Sequence, residues 1–114
     1  MMSSAQTDAS LSLAAPPDLT VLRALAHPLR ARLVELLATE QLCTCHLSAV
    51  TGAGQTNISN HLRVLRDAGL IAAEPAGRFT YYRLRPERLR GLAGRFGELA
   101  AAAGRAAQVR RPCS

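Results

Sequence analysis

Cysteine is the residue type with the clearest chemical potential in this chain of 114 residues. Cys43 and Cys45 are separated by one residue, and Cys113 lies next to the C-terminus. Three cysteines at such uneven spacing do not make a disulfide framework, so we interpret them as thiols or metal ligands. Thiolates are soft ligands that select Cu(I), Zn(II), Cd(II), Pb(II), As(III) or Sb(III) over magnesium and calcium. The alternative is that Cys43 and Cys45 are small apolar residues, partly buried at the start of a helix.

The spacing of the pair predicts how a bound ion would act on the chain. Residues two apart on a regular helix point in nearly opposite directions, since each residue turns the chain by about 100°. We place Cys43 and Cys45 at the start of a third helix, so both thiols bind one ion only if its first turn bends or unwinds. Two thiolates are few for tetrahedral zinc, which takes four ligands. His46 is a conceivable third ligand, although an isolated histidine on a helix is more often a surface residue, and Cys113 is the only sulfur left for a three-sulfur site.

Positive charge is concentrated in the second half of the chain. The net charge is +6, and all 14 basic residues are arginine. Three arginines and four acidic residues lie in residues 1–54, whereas eleven arginines and four acidic residues follow. Such a distribution is typical of nucleic-acid binding, with a merely solvated arginine-rich surface as the alternative. The three histidines have no recognisable set of catalytic partners, so we expect neither enzyme activity nor an organic cofactor.

Length and composition predict one mainly α-helical domain. The hydrophobic residues are largely leucine and alanine, and only 4% of the chain is aromatic. We place the folded domain at residues 16–105, between a disordered N-terminal tail at residues 1–15 and a C-terminal tail at residues 106–114 that carries Cys113. Because the sequence lacks a long apolar segment and the basic region of a signal peptide, we expect a cytoplasmic protein with no membrane partner.

Four short helices are predicted before residue 70. Asp18 is the expected N-cap of the first helix, and Pro28 is the expected first residue of the second. The third helix ends near Gly52, which suits a helix C-terminus. A tight turn leads to the fourth helix, for which Thr56 is the expected N-cap and Gly69 the stop. Two helices joined by a short turn containing glycine predict a helix-turn-helix.

The fourth helix carries the predicted DNA-reading surface. Ile58, Leu62 and Leu65 share one face and are expected to be buried. The other side chains then face solvent, where their amide, guanidinium and hydroxyl groups suit base edges and phosphates, or form an ordinary polar helix face. The expected DNA contacts on this helix are Gln55, Thr56, Asn57, Ser59, Asn60 and Arg63. For His61 we leave open whether it packs on the helix pair or contacts phosphate.

The remaining sequence predicts a hairpin and a long last helix. Aromatic and branched residues on both sides of the turn at residues 75–77 indicate a two-stranded wing. Arg78 at its tip is expected to contact phosphate or the minor groove, with Arg83 a weaker candidate. The last helix has an apolar stripe from Leu89 to Ala103 that the small core cannot cover. This stripe predicts a homodimer, built mainly by the last helix with help from the first.

With its elements in this order, the chain resembles the ArsR/SmtB family of metal-responsive bacterial repressors. The resemblance covers about residues 19–103 and is carried by AHPLR at residues 26–30, LCTCHL at residues 42–47 and NISNHLRVLRDAGLI at residues 57–71. It implies a homodimeric winged helix-turn-helix protein that represses transcription from operator DNA. The family's arsenic sensors have a Cys-x-Cys at this point of the third helix, which matches Cys43 and Cys45. Many of them have a third cysteine where this sequence has Ser48.

Other branches of the family fit less well. One branch binds zinc through aspartate and histidine residues of the last helices, and here the last helix has no histidine. The cadmium and lead sensors add cysteines from the N-terminal tail, and this tail has none.

Together these features predict a repressor that binds an inverted repeat in double-stranded DNA and is released by As(III) or Sb(III) bound to Cys43, Cys45 and Cys113. Three alternatives stay open. The chain could be a sensor of the same fold for Cd(II), Pb(II) or Zn(II). It could be a redox switch in which Cys43 and Cys45 oxidise. It could also be a constitutive DNA-binding protein.

Overall fold

The computed structural model describes residues 13–113 as five helices and three strands. The helices are α1 (Pro16–Leu25), α2 (Pro28–Leu37), α3 (Thr44–Thr51), α4 (Gln55–Asp67) and α5 (Pro86–Ala106). The strands are β1 (Leu42–Cys43), β2 (Ile71–Ala76) and β3 (Phe79–Leu84), which form an antiparallel sheet in the order β1, β3, β2. The predicted mainly α fold with a hairpin is confirmed. The hairpin has a third, two-residue strand that periodicity did not predict.

Two predicted helix N-caps are wrong. Asp18 lies within the first turn of α1, which already begins at Pro16, because proline supplies a helical φ and loses no hydrogen bond at the first position. Thr56 likewise lies inside α4, since Gly54 is the residue that precedes this helix. Both side chains are therefore left available for other contacts.

The two glycines predicted to end helices α3 and α4 do adopt the left-handed conformation. Gly52 and Gly69 both have φ of 78°, a region that side chains with a Cβ rarely enter. Gly52 directly follows α3, and Gly69 comes one residue after the C-cap of α4. Each helix stops sharply, which keeps the α3–α4 turn and the entry into β2 short.

The hydrophobic core lies where α1 to α4 meet the base of the hairpin. Its largest fully buried side chains are aliphatic: Leu33, Leu47, Ile58, Leu62, Leu65, Leu70, Ile71 and Val21. Leu13 packs partly buried against this cluster, although we assigned it to the N-terminal tail. Residues 1–12 of that tail lie outside the described residues.

Helix α5 packs differently from the others. Leu92 is its only buried residue, whereas Phe96 and Leu99 are 46% and 37% exposed. An ion pair at 3.1 Å between Arg95 Nε and Asp18 Oδ2 connects α5 to α1. Beyond α5, residues 109–113 have no regular secondary structure. Within residues 13–113, no helix is long and apolar enough to cross a bilayer.

Candidate nucleic-acid interface and thiol cleft

Helix α4 presents the predicted reading face to solvent. Ile58, Leu62 and Leu65 are buried, as their spacing predicts. The six side chains chosen from the sequence are all exposed: Gln55, Thr56, Asn57, Ser59, Asn60 and Arg63. Because no side chain caps the N-terminus of α4, its first amide groups remain open to an anion such as a DNA phosphate.

Hydroxyl groups fix the turn between α3 and α4. Ser48 Oγ donates to the Ala53 carbonyl at 2.6 Å, and Thr51 Oγ1 donates to the Leu47 carbonyl at 2.7 Å. Thr51 Oγ1 also accepts from the Ala53 amide at 3.2 Å. Ser48, where many arsenic sensors have cysteine, therefore supports this turn. The connection between α3 and α4 is therefore short and is held by side-chain hydrogen bonds.

The hairpin carries two arginines in different settings. Arg78 is exposed at the tip of the hairpin. It directly follows Gly77, whose φ is 63°. Arg83 Nε pairs with Glu74 Oε1 across the hairpin at 2.6 Å. Arg83 therefore already has a carboxylate partner.

The two clustered cysteines lie on different elements. Cys43 belongs to β1, where it pairs with Tyr81 of β3, and it is the N-cap residue of α3. Cys45 lies in the first turn of α3 and is exposed, whereas Cys43 is 5% exposed. The expectation that both cysteines start the helix is therefore wrong for Cys43, because ladder pairing with β3 keeps its backbone extended. The argument from a rotation of about 100° per residue does not apply to the pair.

A cleft of about 340 Å³ opens beside these cysteines. Its lining residues are Cys43, Cys45, His46, Phe79 and Tyr81. His46 Nδ1 lies 3.2 Å from Cys43 Sγ and 3.5 Å from the Cys43 amide nitrogen, which donates to it. The rings of His46 and Tyr81 are 6.3 Å apart between centroids. The cleft thus combines sulfur and nitrogen ligands with aromatic walls from the hairpin.

The donor chemistry of this cleft fits a thiophilic ion, although its ligands are not fully assembled. Two thiols and an imidazole line it, a set that suits soft and borderline cations. Among residues 13–113, no three such groups lie close enough together to hold a metal. Cys113 is exposed in the C-terminal segment and does not line the cleft. A bound ion therefore requires the donor groups of the cleft to move closer together or a further ligand to approach.

Histidine and arginine side chains join α2 to α4. His27 is the N-cap of α2, and its Nδ1 accepts from the Leu29 amide at 3.2 Å. Its ring lies 4.4 Å from that of His61, and Arg30 Nη1 lies 3.2 Å from His61 Nδ1. Burial, then His27 and then Arg30 lower the pKa of His61 below its usual value. His61 therefore packs between the two helices. Arg30 was not identified from the sequence as part of this contact, because its partner His61 is 31 residues away in sequence.

Comparison with known proteins supports a single family. Residues 27–73 match the family described as bacterial regulatory protein, arsR family. An arsenic resistance transcriptional regulator from Pseudomonas putida is 43% identical over 68 residues, 59% of this chain and 53% of that relative. The chain thus spans about half of that relative's length.

Two solved structures extend the likeness beyond the matched segment. One, described as a possible transcriptional regulator for arsenical resistance, has 42% sequence identity and a TM-score of 0.63, over 68% of this chain and 81% of that chain. The other is the homodimeric winged helix-turn-helix DNA-binding domain of a possible ArsR-family regulator from Mycobacterium bovis. It has 25% identity and a TM-score of 0.63, over 84% of this chain and 88% of that chain.

Proposed function

Since the chain belongs to the ArsR family of bacterial regulatory proteins, whose members are DNA-binding regulators and not enzymes, we propose that it is a transcriptional repressor released from DNA by As(III) or Sb(III). One observation carries the inducer class. The thiols of Cys43 and Cys45 line one cleft together with Phe79 and Tyr81 of β3, and thiolates are the soft ligands that such an inducer takes. The arsenical-resistance relatives support the same choice of ion.

DNA binding is proposed to use α4 and the hairpin tip. The exposed face of α4 lies in the major groove, where Gln55 and Asn57 read base edges and Arg63 contacts phosphate or a base. Thr56, Ser59 and Asn60 complete this contact surface. Arg78 contacts the backbone or the minor groove beside it.

A homodimer is the proposed DNA-binding form. The exposed Phe96 and Leu99 of α5 leave apolar area that a second copy of the helix would cover. The related Mycobacterium bovis domain is homodimeric. Two-fold symmetry then requires an inverted repeat, with half-sites about 34 Å apart in successive major grooves.

Release is proposed to begin at the first turn of α3. A trivalent arsenic or antimony species supplies strong bonds to sulfur and favours three such bonds. Cys43 is fixed by the sheet, so the exposed Cys45 must move toward it, and the start of α3 moves with Cys45. This displacement reaches α4 through residues 52–54. Cys113 is the proposed third sulfur ligand.

Arsenite-induced release of DNA from single-site variants tests the inducer and its ligands. The wild-type protein first enriches a DNA duplex from a random library. The complex of each variant with this duplex is then titrated with arsenite, and release of the DNA is followed by fluorescence anisotropy. Cys43→Ser and Cys45→Ser should bind this DNA but no longer respond, whereas Thr44→Ser, between them, should respond like wild type. If Cys113→Ser no longer releases DNA with arsenite, Cys113 is supported as the third sulfur ligand. If it releases DNA like wild type, Cys113 is not a ligand. Release by peroxide and not arsenite would instead support a redox switch. Release by none of arsenite, peroxide, Cd(II), Pb(II) and Zn(II) would support a constitutive DNA-binding protein.

A second candidate function is sensing of Zn(II) or Cd(II). The distance of 3.2 Å between Cys43 Sγ and His46 Nδ1 favours it, because two ligands of one tetrahedral zinc ion lie about 3.5 Å apart. Zinc and cadmium accept imidazole together with thiolate, whereas arsenite prefers sulfur. His46→Ala should therefore weaken Cd(II) binding, followed by the sulfur-to-cadmium absorption band, and leave arsenite release intact. Equal loss of both responses would argue against a separate role for His46.

A further inference from the structure

Three side chains on two helices form what we call the α2–α4 joint: His27, Arg30 and His61. The guanidinium of Arg30 makes three polar contacts at this joint. Its Nε donates to the Ala24 carbonyl at 2.7 Å, its Nη2 donates to the Arg23 carbonyl at 3.3 Å, and its Nη1 lies 3.2 Å from His61 Nδ1. One planar guanidinium therefore connects the end of α1 and its own helix α2 to the DNA-reading helix α4.

We propose that Arg30 is a positioning residue for DNA recognition, which holds the angle of α4 through His61 and releases it when His61 is protonated. The inference rests on the proposed DNA-binding function of α4. It goes beyond that function because neither Arg30 nor His61 belongs to the proposed reading face, and because it adds a response to acid that is independent of the thiols.

The donor and acceptor inventory determines the state of His61 in the joint. Arginine can only donate, so His61 Nδ1 must present a lone pair to Arg30. The ring is then a neutral imidazole with its proton on Nε2. A second proton would occupy Nδ1, abolish the bond and place a cation beside Arg30. The link between α2 and α4 therefore exists only in the neutral form of His61.

The position of His61 on α4 connects the joint to the reading face. His61 lies four residues after Asn57 and next to Asn60, so it shares a helical turn with residues proposed to contact bases. Its ring is half-buried and also packs against the tilted ring of His27, whose Nδ1 already accepts from the Leu29 amide at the start of α2. Rotation of α4 about its axis would pull His61 away from both partners. Base contacts in the major groove depend on this rotation.

The charges around His61 set the direction of the pH dependence. His27 and Arg30 face it from the α2 side. Arg23 at the end of α1 and Asp67 of α4 line a second cleft, of about 320 Å³, beside Arg30. Burial, then His27 and then Arg30 lower the pKa of His61, and an unfolded chain takes up the proton near pH 6.5. As the pH falls through 6.5 toward the lowered pKa, the unfolded state binds more protons, so the free energy of unfolding decreases. The joint is intact above this window and is lost below it.

The direction of the pH dependence distinguishes the effect of the joint on DNA binding from a general electrostatic effect. Protonating histidines makes the protein more cationic, which by itself strengthens binding to phosphate as the pH falls. Release of α4 by the joint predicts the opposite: weaker binding to a specific sequence in acid. Binding to unrelated DNA, which depends mainly on phosphate contacts, should show the electrostatic trend.

Paired arginine variants test the positioning role. Arg30→Met and Arg32→Met each remove one charge from α2, but Arg32 is exposed and its only described ion pair, with Glu35, is long at 4.0 Å. On the enriched duplex near pH 7.5, Arg30→Met should bind about tenfold more weakly than Arg32→Met, since only it loses a charged hydrogen bond to His61. On a scrambled duplex the two variants should bind alike. Equal affinities on the enriched duplex would overturn the inference.

A histidine variant tests the dependence on protonation without removing the bond. His61→Asn places an amide oxygen near the position of Nδ1, so it keeps the acceptor and cannot titrate. Its affinity near pH 7.5 should lie within about twofold of wild type, whereas the loss of affinity from about pH 7.5 to about pH 5.5 should disappear. A wild-type pH profile in His61→Asn would contradict the proposal.

Amide hydrogen exchange without DNA distinguishes failure of the joint from failure of the proposed function. Arg30→Met should accelerate exchange of the α4 amides relative to Arg32→Met, whether or not the protein enriches any duplex. If the wild type binds no DNA specifically but exchange changes as expected, only the DNA-binding proposal fails. If exchange is the same in both arginine variants, the joint itself is refuted.

Discussion

Helices α4 and α5 both have an apolar and a polar side, yet they pack in opposite ways. The 13-residue α4 buries Ile58, Leu62 and Leu65 completely within its own chain. The 21-residue α5 buries only Leu92 and exposes Phe96 and Leu99. Periodicity reveals which side of a helix avoids water, but it does not reveal which surface covers that side. In this chain, α4 is part of the hydrophobic core, and α5 leaves apolar area exposed.

The largest effect is expected from shortening a side chain on the buried side of α4. Leu62→Ala should lower the free energy of unfolding by about 2–5 kcal/mol, because it removes a fully buried side chain and leaves a cavity. Urea denaturation of the variant measures this loss. Arg66→Ala, on the exposed side of the same helix, is the control and should change stability by less than about 0.5 kcal/mol. Similar small losses in both variants would show that α4 is not an integral core helix.

A charge on the exposed apolar side of α5 should change assembly more than folding. Phe96→Asp should weaken self-association at least about thirtyfold, because a large apolar contact is replaced by a charge that resists burial. Sedimentation should then find monomers whose helical content remains that of wild type, and their DNA affinity should fall.

Glu98→Ala, a change at an exposed polar position of α5, is the matched control for Phe96→Asp. It should leave the dimer intact. A wild-type protein that sediments as a monomer at about micromolar concentration would remove the distinction between the two helices.

The smallest effect is expected at the contact between α5 and α1. Asp18→Asn removes the charge that pairs with Arg95 at 3.1 Å, and this partly exposed pair should contribute about 0.5–1 kcal/mol. The change is best measured in the Phe96→Asp background, where dimerisation does not add to stability. A double-mutant cycle with Arg95→Ala isolates the pair, and a coupling energy near zero would mean that this pair does not help to attach α5.

Local sequence rules predicted most of the fold but located some boundaries wrongly. The buried side of α4 and the ends of α3 and α4 at Gly52 and Gly69 depend on residues close together in sequence. The structure confirms both predictions. Asp18 and Thr56 were misassigned as N-caps because several residues near each helix start satisfy the same preference. Strand β1 was missed because two residues carry no periodicity, and its conformation depends on pairing with β3, almost forty residues later.

The candidate site was harder to predict than the fold, since its geometry depends on contacts between distant segments. The cysteine pair was found by its spacing, but burial of Cys43 and exposure of Cys45 follow from the sheet. The approach of Arg30 to His61 joins two helices across 31 residues. The sequence offers one signal for this joint, namely a histidine immediately before Pro28, where a helix start needs a cap.

The brevity of β1 limits how strongly the thiol cleft and the hairpin can influence each other through the sheet. Its two residues form only two paired positions with β3, and each net hydrogen bond contributes about 0.5–1.5 kcal/mol. The coupling free energy carried by this route is therefore at most about 3 kcal/mol, a change in DNA affinity of roughly 150-fold. By thermodynamic reciprocity, bound DNA would weaken a ligand of Cys43 by the same factor along this route.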